Sequence, residues 1–100
     1  MSKELPICPA EKALSIISSK WSLYIIKELV DKNMRFNELI KTLGVSQKVL
    51  TENLKKLEEN NVIDRKVFPV IPPKVEYSLT EFGKTLIPVL DTLHEWGETL

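Results

Sequence analysis

Apolar residues change their spacing several times along the chain, and each change marks an element. Pro9 opens a helical stretch, Ala10-Glu11-Lys12-Ala13-Leu14-Ser15-Ile16-Ile17, because proline suits the first helical position and good helix formers follow. Ser18-Ser19 interrupts it. From Lys20 to about Val30, Trp21, Tyr24, Ile25 and Leu29 recur at helical spacing together with Ile26 and Val30. So much of that circumference is apolar that this second helix is expected at the centre of the fold. Asp31-Lys32-Asn33 ends it, asparagine being able to take the left-handed conformation that closes a helix.

Met34-Arg35-Phe36 is long enough only for a stub of strand. Asn37 is expected to cap a third helix, Glu38 to Leu43, with Leu39 and Leu43 inward. Gly44 stops it. Ser46 then caps a fourth helix that runs to Asn60 and turns Leu50, Leu54 and Leu57 to one side. Helix, short glycine turn, helix is the layout of a helix-turn-helix.

The period next falls to two. Ile63, Arg65 and Val67 alternate with Asp64, Lys66 and Phe68, and Val75, Tyr77 and Leu79 alternate with Lys74, Glu76 and Ser78, which predicts a β-hairpin. Its connection, Pro69-Val70-Ile71-Pro72-Pro73, holds three prolines that cannot donate ladder hydrogen bonds, so the tip is stiff and further strand pairing is discouraged. Thr80 caps a last helix carrying Leu86, Ile87, Leu90, Leu93 and Trp96, with a kink expected between Lys84 and Pro88. The fold class is therefore mainly α with a small β-hairpin (α+β), a winged helix-turn-helix.

In that architecture the fourth helix enters the major groove by its N-terminal half. With the leucines inward, Lys48, Thr51, Glu52 and Lys55 lie on the opposite side and Gln47 near the tip. Gln47 suits adenine, Lys48 guanine or phosphate, and Thr51 a thymine methyl or phosphate. Arg65, Lys66 and Lys74 lie on the strands of the wing, and Arg35 precedes the helix that crosses the phosphates. Each has a plainer reading. Polar residues on an amphipathic helix are usually solvated, and cations on edge strands also guard against aggregation.

Composition narrows the class further. One hundred residues make a single domain, 1–100, and 43% apolar with 28% charged residues supports a globular chain. No apolar run approaches the roughly 18 residues of a membrane span, and Met1-Ser2-Lys3-Glu4-Leu5-Pro6 lacks the apolar stretch of an export signal, so no membrane partner and a cytoplasmic location are expected. A lone cysteine, Cys8, excludes an internal disulfide and a cysteine-rich zinc site. No metal set forms around His94, the single histidine, and no catalytic triad, carboxylate pair or phosphate loop is present, so neither an enzyme nor a cofactor is expected. Formal charge is zero overall, but residues 1–33 carry +1, residues 34–80 carry +2 and residues 81–100 carry −3. A nucleic-acid partner would meet the middle segment, with the last helix turned away.

The chain resembles the HxlR-type transcriptional regulators, relatives of the MarR-like winged helix-turn-helix proteins. The resemblance runs from Cys8-Pro9 to Trp96-Gly97 and rests on Lys20-Trp21, Arg35-Phe36-Asn37-Glu38-Leu39, Ser46-Gln47-Lys48-Val49-Leu50-Thr51, Leu57-Glu58, Pro72-Pro73-Lys74-Val75-Glu76-Tyr77-Ser78-Leu79-Thr80 and Gly83. It implies a DNA-binding repressor or activator, dimeric through its first and last helices, with the Ser46-Gln47-Lys48 helix reading the operator. Ser19 stands where the family often has glycine, Asn60-Asn61 where it often has Asp-Gly, and Lys55 and Lys74 where arginine is common. Lysine replaces a planar fork by a point charge, which keeps phosphate attraction and weakens base-specific contact.

Leu14, Ile17, Leu86, Leu90, Leu93 and Trp96 are spread too widely for one buried stripe, so part of that surface is expected to meet a second copy; a wide core face in a monomer is the alternative. Two such copies place their reading helices about 34 Å apart, one turn of DNA, on a pseudo-palindromic site. Cys8 precedes a proline-started helix whose positive end favours thiolate, and the resemblance implies an oxidant or electrophile sensor there; an inert packing residue is the alternative. Trp21, Tyr24 and Trp96 leave room for a small-molecule effector between the first and last helices, although aromatics so spaced usually belong to a core. The competing function is a winged-helix module that docks protein without binding DNA.

Overall fold

A computed structural model describes residues 8–100; the reading of Met1–Pro6 lies outside them. The order is α1 (Pro9–Ile16), α2 (Lys20–Asp31), β1 (Met34–Arg35), α3 (Phe36–Leu43), α4 (Gln47–Glu59), β2 (Ile63–Phe68), β3 (Lys74–Leu79), α5 (Glu81–Lys84) and α6 (Ile87–Gly97). Ile25, Ile26 and Leu29 of α2 pack with Leu39 of α3, the α4 leucines and Val62, Ile63, Tyr77 and Leu79 of the hairpin region, so α2 is central as its pattern predicts. No helix among the described residues is long and apolar enough to cross a membrane.

Local chemistry explains the boundaries. Ser19, Ser46 and Thr80 each accept from the backbone N–H three residues on, opening α2, α4 and α5. Gly44 closes α3 with φ of 64°, and Asn61 takes φ of 61° after α4, a conformation asparagine tolerates better than most residues. Asn33 does not: the chain leaves α2 through an extended Lys32, and the left-handed closure expected there is absent. Asn37 is not a cap either. The third helix starts at Phe36 behind Arg35, whose N–H donates to the Glu38 carboxylate at 2.9 Å.

Two further elements differ from expectation. The sheet has three strands in the order β1-β3-β2, because Met34 pairs with Tyr77 and Arg35 with Glu76 along the outer edge of β3. The proline-rich connection limits pairing only at the tip. The last helix is broken, not kinked: α5 ends at Lys84, Thr85 and Leu86 form a turn, and Pro88 falls in the first turn of a new helix, where its missing N–H removes no bond.

Candidate nucleic-acid interface

Leu50, Leu54 and Leu57 anchor α4 in the core, leaving Lys48, Thr51, Glu52 and Lys55 exposed on its far side and Gln47 exposed at its N-terminal tip. Ser46 is exposed too; its Oγ accepts from Val49 N–H at 3.2 Å, which leaves its hydroxyl proton free to donate to another partner. The outermost line runs Lys48, Glu52, Lys55, Glu59, alternating in sign.

A polar knot fixes this helix against α2. The Ser19 and Ser22 hydroxyls donate to Asn53 Oδ1 at 2.7 and 2.8 Å, and Asn53 Nδ2 donates to the Val49 carbonyl at 2.8 Å. Ser22 is fully buried, and its hydroxyl has Asn53 as its close partner and Ser19 Oγ as a longer one at 3.3 Å. Spacing marks Ser19 only as a helix break, and it does not point to Ser22 or Asn53. The available signal was Ser22 itself, a polar residue on the same helical face as Ile25, Ile26 and Leu29. Asn53→Ala should cost about 2 kcal/mol, since it leaves the buried Ser22 hydroxyl only its long contact with Ser19, and adding Ser22→Ala should restore part of the loss. Denaturant unfolding of the two single variants and the double variant tests this coupling.

The sheet sorts the remaining cations by face. Arg35 lies opposite Glu76, and Glu76 opposite Lys66, which puts these three in one row across the strands. Lys74 shares that face and sits 3.6 Å from Glu76 Oε2; Lys66 and Lys74 stand 5.0 and 4.7 Å from the Phe68 ring centre. Arg65 is opposite the buried Tyr77 on the other face, yet is exposed, since β2 is an edge strand of the sheet and β3 its centre. The structure thus gathers Arg35, Lys66 and Lys74 and sets Arg65 apart. Beside them Glu38 is held below the usual carboxylate range, chiefly by the hydrogen bond from Arg35 N–H; desolvation opposes this, and the charges of Lys32, Arg35 and Lys74 each add a smaller lowering.

At the chain ends, Leu14, Leu93 and Trp96 are 59%, 45% and 63% exposed, while Ile17 and Leu86 are half-buried and Leu90 is buried. An apolar groove of about 570 Å³ runs between α1, α2 and α6, lined in part by Leu14, Ile17, Leu23, Val30, Leu90 and Leu93. Trp21 and Tyr24 meet edge to face, with Lys20 over the Trp21 ring, and neither they nor Trp96, the third aromatic expected beside an effector, line this groove. Cys8 is exposed and caps α1, its sulfur accepting from Glu11 N–H at 3.4 Å. His94 also lines the groove and lies 3.7 Å from Glu98. Among the described residues no group of three metal-binding side chains comes together.

A family profile described as HxlR-like helix-turn-helix matches residues 16–100. The HTH-type transcriptional regulator YdeP of Bacillus subtilis is 48% identical over 92 residues, covering 91% of this chain and 72% of that protein. The reduced form of the transcriptional regulator YodB from B. subtilis superimposes with a TM-score of 0.84 at 38% identity, covering 95% of each chain. The redox regulator HypR in its reduced form gives 0.86 at 41% identity, over 92% of each.

Proposed function

The chain belongs to the HxlR-like helix-turn-helix family, and from that premise we propose that it works as a homodimer whose two α4 helices enter successive major grooves of a pseudo-palindromic operator. It is a DNA-binding transcriptional regulator with a winged-helix fold. Residues 1–100 act as one domain. Gln47, Lys48 and Thr51 meet base edges and phosphates, Ser46 and Lys55 contact the backbone, and Arg35, Lys66 and Lys74 hold phosphates beside the wing, with Arg65 reaching the duplex from the other face. The observation that carries this reading is the uncovered outer side of α4, held by buried leucines and the asparagine knot. Neither an enzymatic role nor a cofactor forms part of it, and a cytoplasmic location follows from chromosomal DNA as the partner.

The dimer face comprises Leu14, Ile17, Leu86, Leu90, Leu93 and Trp96, with the exposed members in contact and Leu90 beneath them. Signal enters by the Cys8 thiol or by a small molecule in the apolar groove. Support for the thiol is its exposure at the start of α1 and the likeness to a redox regulator.

Gel-shift titrations over a range of salt test the core of this reading. Affinity for operator should fall steeply with salt, and Lys48→Ala, which removes one lysine from each of the two bound helices, should weaken it about tenfold and reduce the salt slope by about two. Binding indifferent to salt and to Lys48 would favour the protein-docking module. The same titrations with diamide should release DNA from wild type and not from Cys8→Ser; an equal response removes Cys8 as the sensor.

A further inference from the structure

We propose that Glu52 reads a cytosine in each half-site, so that an acidic side chain on α4 sets part of the operator's base preference. This rests on α4 being the base-reading helix. At 100° per residue, the direction opposite Leu50, Leu54 and Leu57 falls between Lys48 and Glu52, so Glu52 occupies the middle of the outward face. It is exposed, and among the described residues its carboxylate makes no ion pair. Lys48, Lys55 and Lys56 stand four residues before, three after and four after it, the spacings at which helical ion pairs form. Lys56 instead donates to Ser18 Oγ at 2.6 Å.

A carboxylate so placed opposes DNA in general, because it faces a polyanion and offsets the attraction of its lysine neighbours. Only a hydrogen-bond donor in the groove reverses that effect. Adenine presents N6–H₂ beside the acceptor N7, which repels a carboxylate, whereas cytosine presents N4–H₂ without an adjacent acceptor on the same base. Cytosine is therefore the base that the Glu52 carboxylate accepts from, and the same charge weakens binding where no donor meets it.

Wild type, Glu52→Gln and Glu52→Ala are each used to select bound duplexes from a random pool, and affinity for an unrelated duplex is measured alongside. The wild-type motif should hold a cytosine at one position per half-site. Glu52→Gln, whose carboxamide both donates and accepts, should move that position to adenine, and Glu52→Ala should leave it unread. In both variants the ratio of operator to unrelated affinity should fall about tenfold, with unrelated duplex bound more tightly than by wild type. The proposal is overturned if the three motifs coincide, or if the altered position holds a base other than cytosine in the wild-type motif. Gln47→Ala and Lys48→Ala separate the causes of failure: if they change the motif and the Glu52 variants do not, only the cytosine contact falls. If none of them changes it, the placement of α4 in the groove falls as well.

Discussion

Gly83→Ala should lower the unfolding free energy by about 3 kcal/mol, a fall in Tm of roughly 15 °C for a domain of this length. A Cβ on Gly83 would land on the Val62 carbonyl oxygen and 3.3 Å from Thr80 Oγ1. Those atoms are already committed: Val62 O accepts from Thr80 N–H at 3.1 Å, and Thr80 Oγ1 donates to Asn61 O at 2.6 Å while accepting from Gly83 N–H at 2.7 Å. Backbone would have to move, and the junction of α4, the hairpin and α5 would open. Gly97→Ala meets nothing within 4 Å and should leave Tm nearly unchanged. Thermal unfolding at one fixed protein concentration compares them; a Gly83→Ala protein that melts with wild type would show that this junction yields easily.

Replacing Leu93 and Trp96 together by aspartate should produce a folded monomer that binds operator about a thousandfold more weakly. Both side chains are largely exposed in the single chain, so the change leaves the core intact, whereas aspartate at the buried Leu90 would unfold it. The magnitude follows from tethering. An operator dissociation constant near 10⁻⁹ M and an effective concentration near 10⁻³ M for the second half-site imply roughly 10⁻⁶ M for one half-site alone. Sedimentation and gel shift read the two effects separately. A double variant that still sediments as a dimer would move the interface elsewhere, and a monomer with full affinity would remove the two-site mechanism.

Much of this fold is legible in the residues because one periodicity carries it. Leu50, Leu54 and Leu57 define both the buried and the free side of α4, and Gly44 and Ser46 bracket the turn with residues whose backbone and side-chain chemistry suit little else. Legibility fails where a tertiary partner makes the decision. Met34 and Arg35 are too few to show a strand period and become one by pairing with β3. That extended Arg35, capped by Glu38, moves the helix start ahead of Asn37. Pro88 reads equally as a kink or as the first turn of a new helix, and the turn at Thr85-Leu86 decides it. Alternation in β2 sorts Arg65 from Lys66, yet burial does not follow it beyond Ile63 because β2 is the edge strand, while its partner β3 keeps Tyr77 buried. The asparagine knot needs two helices at once, so spacing within either one shows only half of it.

The two-residue β1 also bears on the thermodynamics of recognition. By lacing the entry of α3 to the inner strand of the wing, it fixes the backbone that carries Arg35 beside Glu76 and, across β3, Lys66 before any duplex arrives. The base of the wing therefore has little freedom left to lose on association, and the ordering entropy that a floppy arm would forfeit stays available as binding strength.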